Sequence, residues 1–326
     1  VAEDDIHQPN DKLFQATFGA PENAAALLRA KLPAAVAAMV DWPRLRRLQG
    51  SFVDSKFYAS HADLLFSAPM AGLDALIYVL FEHQSTRDRL LPLRLLRYMV
   101  RIWEQAAKSE GTKARLPAIL PVVLSQNGEH WNLDPRFSGL LDLPEPIPSE
   151  IRPFVPDFVF HHLQLSDMAF EAIPGSPAGI LVLRAMKAER LGRLLDDVVW
   201  DEDLIVRVPS EIFQLILRYI LDADVDRGAF EARLLNLSDI ETRSTAMTLA
   251  QRYHQDGIEV GRQEGRQEGR QEALQEAVLN VLTTRFQRVP DGLREAILTI
   301  REHAKLRALL SAAIECQSIE QFAADL

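Results

Sequence analysis

An apolar strand that runs into a carboxylate constrains this chain more than any other feature. From Ile77 to Gln84 the sequence reads IYVLFEHQ. Side chains alternate faces along a strand, so Tyr78, Leu80, Glu82 and Gln84 share one face while Ile77, Val79, Phe81 and His83 share the other. An ionised carboxylate among such neighbours is costly unless it is paired or binds a metal. Asp63, nineteen residues earlier in HADLLF, supplies a second carboxylate, and a neighbouring hairpin strand would bring it to the same spot. Two acids and the neutral amide of Gln84 would then form an oxygen-rich pocket suited to Mg²⁺ or Mn²⁺. The backbone carbonyl of His83 could join that shell although its side chain points the other way. By itself, Asp followed by Glu-x-Gln at a loose spacing occurs by chance in many soluble chains.

The surrounding sequence adds context. Four blocks occur in order between Asp11 and Trp131: PNDKLFQATF; SFVDSKFYASHADLLFSA around Asp63; IYVLFEHQSTRDRLLPLRLLRYMVRIWE around Glu82; and LPAILPVVLSQNG, followed by His130 and Trp131. Together they resemble the Rpn family of recombination-promoting nucleases, also described as transposases, within the PD-(D/E)XK nuclease superfamily. The third block is the specific one, because a strand ending in E-H-Q-S and leading straight into an Arg-rich helix is a rare combination. The resemblance implies a metal-dependent DNA endonuclease, with Asp63 and Glu82 as metal ligands and Gln84 where the superfamily usually has Lys. Gln15 stands where Lys is common, and SQNG replaces an aromatic-His-Gly type of sequence; both departures bear on substrate contacts more than on the metal site.

The chain of 326 residues has a net charge of −10, which opposes indiscriminate binding to polyanions. A DNA site must therefore be a local basic patch. One follows the metal strand directly: Arg87, Arg94, Arg97 and Arg101 lead a stretch in which positive residues outnumber acids, and Arg94, Arg97 and Arg101 at i, i+3 and i+7 share a helical face. The alternative is a solvated helix face. A single cysteine, Cys316, excludes an intramolecular disulfide and a Cys-rich zinc site. The acidic VAEDDIHQ start lacks the apolar core of a signal peptide, and no uncharged apolar run is long enough to span a bilayer. A soluble, cytoplasmic protein is expected.

The predicted fold class is α/β (α+β), a restriction-endonuclease-like αβββαβ core with a helical C-terminal extension. A helix opens at Pro21 and runs to about Val40; strands follow over 45–54, 60–68 and 76–84, with a turn at Pro69–Gly72, then a helix over 85–108 and a buried strand over 116–124. A Pro-rich connector follows, and from about Gly179 helical periodicity dominates. The expected division is a nuclease-like domain over 1–165, a helical extension over 166–255, and a tail over 256–326.

The tail carries a tetrapeptide repeat, Gly-Arg-Gln-Glu starting at Gly261, Gly265 and Gly269. As a helix it stacks like with like at i, i+4, which destabilises an isolated helix, and each Gly costs about 1 kcal/mol against Ala. Such a helix is better satisfied by a second copy, which predicts a homodimer through the C-terminal helices; a flexible linker is the other reading. Amphipathic helices are expected over 273–287 and 293–313. Zinc-protease, P-loop and α/β-hydrolase motifs are absent, and His130, His161 and His162 read as structural. Asp11 and Asp54 remain possible outer acids. The expected activity is Mg²⁺-dependent phosphodiester hydrolysis in DNA; the alternative is a catalytically silent DNA-binding or regulatory oligomer that keeps the fold.

Overall fold

In the computed structural model, which describes residues 9–48, 64–82, 88–110, 115–127, 129–144, 146–223, 225–324 and 326, the apolar run is a strand. Strand β1 is Arg46–Arg47, β2 Leu64–Met70, β3 Leu73–Glu82, β4 Ala118–Ser125 and β5 His161–Gln164. They form one sheet in the order β1-β2-β3-β4-β5, antiparallel as far as β3, with β4 parallel to both β3 and β5. The β2–β3 hairpin closes on Ala71 and Gly72, at φ 50° and 83°. Positive φ at both central residues matches the twist of a tight hairpin. The sequence predicts the turn at Pro69–Gly72, but Pro69 and Met70 still pair with Asp74 and Leu73. The same pair of residues is held from the other side, where Pro69 O accepts Asp41 N at 2.8 Å and Val40 bridges Met70.

Alternation sorts the sheet residues between two cores. Phe66, Ile77, Val122 and Leu124 enter the larger one, with helices α1 (Pro9–Phe18) and α2 (Pro21–Lys31). Leu65, Tyr78 and Val123 enter the smaller one, where helix α3 (Leu91–Glu110) buries Leu91, Leu95, Tyr98, Met99 and Ile102. That spacing is an amphipathic stripe. α3 starts later than the sequence suggested: a helix from Ser85 would place Pro92 in its interior, whereas a start at Leu91 puts it in the first turn. Asp88 Oδ1 accepts Leu90 N at 2.8 Å just before that start.

After β4 the Pro-rich segment forms short 3-10 turns at Phe137–Leu140 and Arg152–Phe154 and then the four-residue β5. Helices α4 (Pro177–Arg190), α5 (Ser210–Asp222) and α6 (Arg227–Leu235) complete the larger core; Ser176 caps α4 by accepting Gly179 N. Residues of both the predicted nuclease-like segment and the predicted helical extension line this one core.

The chain divides into two compact units, one ending at Ala250 and one spanning Gln251–Leu326. Helix α7 (Ile240–Phe286) runs through the Gly-Arg-Gln-Glu repeat without a break. In the second unit Val278, Leu279 and Leu282 of α7 pack with α8 (Asp291–Thr299), α9 (His303–Glu315) and α10 (Ile319–Ala324). The helix expected over 293–313 is interrupted after Thr299. Buried Gln275 explains the break, because its Nε2 donates to Leu298 O and Ile300 O at 3.0 and 2.9 Å and satisfies carbonyls a continuing helix would use. Among the described residues no helix is long and apolar enough to cross a membrane.

Candidate functional site

Strands β3, β4 and β5 all run the same way, so their C-terminal ends meet at one edge. In open α/β sheets that edge is where ligands bind. The last rung is continuous: Glu82 pairs with Ser125, and Ser125 with Gln164. Glu82 thus closes the central strand, in the place its sequence position suggested. Asp63, Gln84, His83, Arg87 and Asp54 lie outside the described residues.

Beside that rung is a polar cluster on the α3 side of the sheet. His162 Nε2 lies 2.9 Å from Ser125 Oγ, and its ring meets Trp131 edge-on with centroids 5.5 Å apart. Burial, more than its charged neighbours, pushes the His162 imidazole down to about 4, so it is neutral at neutral pH. Gln164 accepts Trp131 N at 2.6 Å through Oε1, and its Nε2 lies 3.4 Å from His130 Nδ1. His130 Nδ1 in turn lies 2.9 and 3.0 Å from the two carboxylate oxygens of Asp167. Burial raises the Asp167 carboxyl, but hydrogen bonds from His130 and Ser166 and the nearby imidazoles outweigh it and hold the group below the usual carboxylate range. Lys187 Nζ fastens the same turn by donating to the carbonyls of Leu165, Ser166 and Met168. The sequence marks His130 and His162 as structural, because nothing local links His130 to an acid 37 residues away.

The opposite side of the same strand end is closed by protein. Gln126 Nε2 donates to Met186 O at 2.7 Å and lies 3.3 Å from Tyr219 Oη, which donates to Asn10 Oδ1 at 2.6 Å. Burial first, then Glu189, hold the Tyr219 phenol well above its usual range. This network ties β4 to α1, α4 and α5. Asp11 is buried inside the first turn of α1, next to Asn10. His161 donates to Lys31 O at 2.7 Å and so joins β5 to the end of α2, a structural role as expected.

The arginine row lies on α3. Arg94 is half-buried and pairs with Asp88 at 3.6 Å; Arg97 is exposed and Arg101 half-buried. Among the described residues no group of three or more His, Cys, Asp or Glu side chains could hold a metal ion.

Comparison with known proteins places the chain. It is 30% identical over 128 residues to the recombination-promoting nuclease RpnD of Escherichia coli O157:H7, covering 38% of this chain and 49% of that protein. To RpnA of Escherichia coli K12, also named a recombination-promoting nuclease, it is 32% identical over 35% of this chain and 39% of the relative. The chain thus matches less than half the length of each of these two nucleases. A longer match, 24% identical over 81% of this chain and 87% of the relative, is to RpnE of the same strain, named an inactive recombination-promoting nuclease-like protein. No solved structure matches. The family model described as "Putative transposase, YhgA-like" matches residues 8–225, and the chain belongs to this family, that of the Rpn recombination-promoting nucleases.

Proposed function

We propose that this protein is a metal-dependent DNA endonuclease on a PD-(D/E)XK, restriction-endonuclease-like core. The observation that carries the reading is Glu82 at the end of the central strand, on the sheet edge where α/β proteins bind ligands, in a family whose members include named nucleases. The order of elements from α2 through β4 is consistent with αβββαβ. Sequence alternation adds support: Leu65 and Tyr78 are partners across the hairpin and belong to the α3-side core, and positions 63 and 82 have their respective parities.

Asp63, Glu82 and the His83 carbonyl would hold the ion, and these oxygen donors suit a hard cation such as Mg²⁺ or Mn²⁺. When bound, the ion supplies charge stabilisation at the scissile phosphate and a water acidic enough to attack. Gln84 orients that water through its amide but offers no positive charge, so turnover slower than in a Lys-bearing relative is expected. Arg87, Arg94, Arg97 and Arg101 lead the sequence towards the DNA backbone. The test is plasmid nicking by the full chain with Mg²⁺ and with EDTA. Asp63→Ala and Glu82→Ala should each abolish nicking; undiminished cleavage in either variant, or cleavage that survives EDTA, removes the assignment.

A second reading has its own support. RpnE, named inactive, aligns over most of this chain, and Gln84 replaces the usual Lys, both of which fit a catalytically silent DNA-binding or regulatory oligomer. Either form would dimerise through the tail. An added Cβ at Gly261, Gly265 or Gly269 meets nothing within 4 Å, so the repeat helix presents an open row to a second copy. Light scattering of the full chain against a truncation ending near Glu241 should show a dimer and a monomer; equal monomer masses would reduce the repeat to a spacer.

A further inference from the structure

We infer that His130, oriented by Asp167, is the general acid that protonates the leaving ester oxygen, an inference that rests on the nuclease reading. The rung Glu82–Ser125–Gln164 spans two strand spacings, about 10 Å. Gln164 touches the loop carrying His130 twice, at Trp131 N and at His130 Nδ1, so the imidazole belongs to the same strand edge as Glu82. A phosphodiester seated across that edge would lie between the strand end that carries Glu82 and the loop that carries His130.

The pair is built for proton transfer. Both Asp167 oxygens accept from Nδ1–H, which fixes the ring orientation, and it is the imidazolium form of the ring that carries the second proton, on Nε2, for transfer. The His130 side chain is 60% exposed, so a substrate can reach it. A buried structural histidine would resemble His162 instead, which packs among aromatic rings and meets a serine. In the reaction, water oxygen forms the new bond to phosphorus and sheds a proton to solvent. The bond from phosphorus to the leaving oxygen breaks with its electron pair on that oxygen. The Nε2 proton moves to it, and solvent returns a proton to the imidazole. No oxidant or reductant enters.

The test uses duplexes carrying sulfur in place of the 3′- or the 5′-bridging oxygen at the cleavage site, since a thiolate leaves without protonation. His130→Ala should lose roughly 10²–10⁴-fold on ordinary DNA, the usual span for general acid catalysis, and regain near wild-type cleavage on one of the two sulfur duplexes. Asp167→Asn, acting through orientation, should show the same pattern with a smaller loss, whereas Glu82→Ala should fail on every substrate. A second readout needs no turnover: in EDTA, a short duplex should move the His130 Nε2 resonance in nitrogen-15 spectra of the full chain. Equal losses on oxygen and sulfur substrates, no loss at all, or an unmoved resonance overturn the role of His130 while wild-type cleavage keeps the nuclease reading. A wild-type protein that cleaves neither substrate overturns both.

Discussion

The two faces of the central sheet solve different problems. On one side Phe66, Ile77, Val122 and Leu124 meet α1, α2, α4 and α5, and even the polar end of β4 is sealed, with Gln126 donating to Met186 O and contacting Tyr219. On the other, Leu65, Tyr78 and Val123 meet α3 in a smaller core, and past its end come Ser125, His162, Gln164, His130 and Asp167. One face closes its strand ends with packing; on the other they are followed by a polar cluster whose outer members, His130 and Asp167, are exposed. The first face has the larger share of the stability, because hydrophobic stabilisation scales with buried apolar area, and the proposed phosphodiester chemistry would fall to the second.

The largest expected effect separates these roles directly. Leu183 in α4 is fully buried in the larger core, and Leu183→Ala should cost about 2–5 kcal/mol through lost burial and the cavity left behind. Glu82→Ala should do the reverse, abolishing nicking with little change in the urea midpoint. Measuring both quantities for both variants breaks the comparison if Glu82→Ala unfolds the protein as severely as Leu183→Ala does.

Much of this division was legible in sequence, and the exceptions have physical causes. Strand β3, strand β4 and α3 announce themselves because long apolar stretches must be buried somewhere. β5 did not, since four residues, His-His-Leu-Gln, after a proline-rich stretch carry no periodicity to read. With β5 went the polar cluster, because Asp167 and Gln164 reach His130 only through the parallel β4–β5 pairing. Propensity weighed against the glycine repeat as an isolated helix, and the penalties are real. The repeat, however, lies inside a 47-residue helix, so it extends turns already nucleated on either side. The strand that ends at Glu82 was readable from its apolar run; Ser125 and Gln164, which share its rung, were not, and the expected neighbour Asp63 lies outside the described residues.

A smaller effect should appear on acidification, and it lies on the polar face. His162 titrates near 6.5 when unfolded and at about 4 when folded. Between those values the unfolded chain binds the extra proton, so stability falls as pH drops through that window and is fully present above it. At roughly 1.4 kcal/mol per unit, the loss between pH 7.5 and 4.5 is on the order of 2 kcal/mol. Burial lowers His161 as well, which steepens the same trend. Urea midpoints at the two pH values should therefore converge in His162→Gln relative to wild type. Parallel losses in both proteins would show that the acid sensitivity comes from other groups.

The smallest expected effect concerns how far the polar face extends along α3. Arg97 is exposed on that helix, Arg101 is half-buried, and Arg94 already pairs with Asp88 at 3.6 Å. Phosphate contacts release counterions, so each arginine engaged on DNA should contribute about 0.9 to the slope of log affinity against log salt. Replacing Arg97 and Arg101 by Gln should then flatten that slope by nearly two when binding is measured in EDTA, where no cleavage competes. Arg94→Gln should change it less, because breaking the Asp88 pair leaves an acid beside the same phosphates. The loss should be similar for unrelated duplexes, since backbone contacts carry no sequence information. A slope that stays fixed in the double variant would confine the functional face to the strand ends and leave α3 as packing alone.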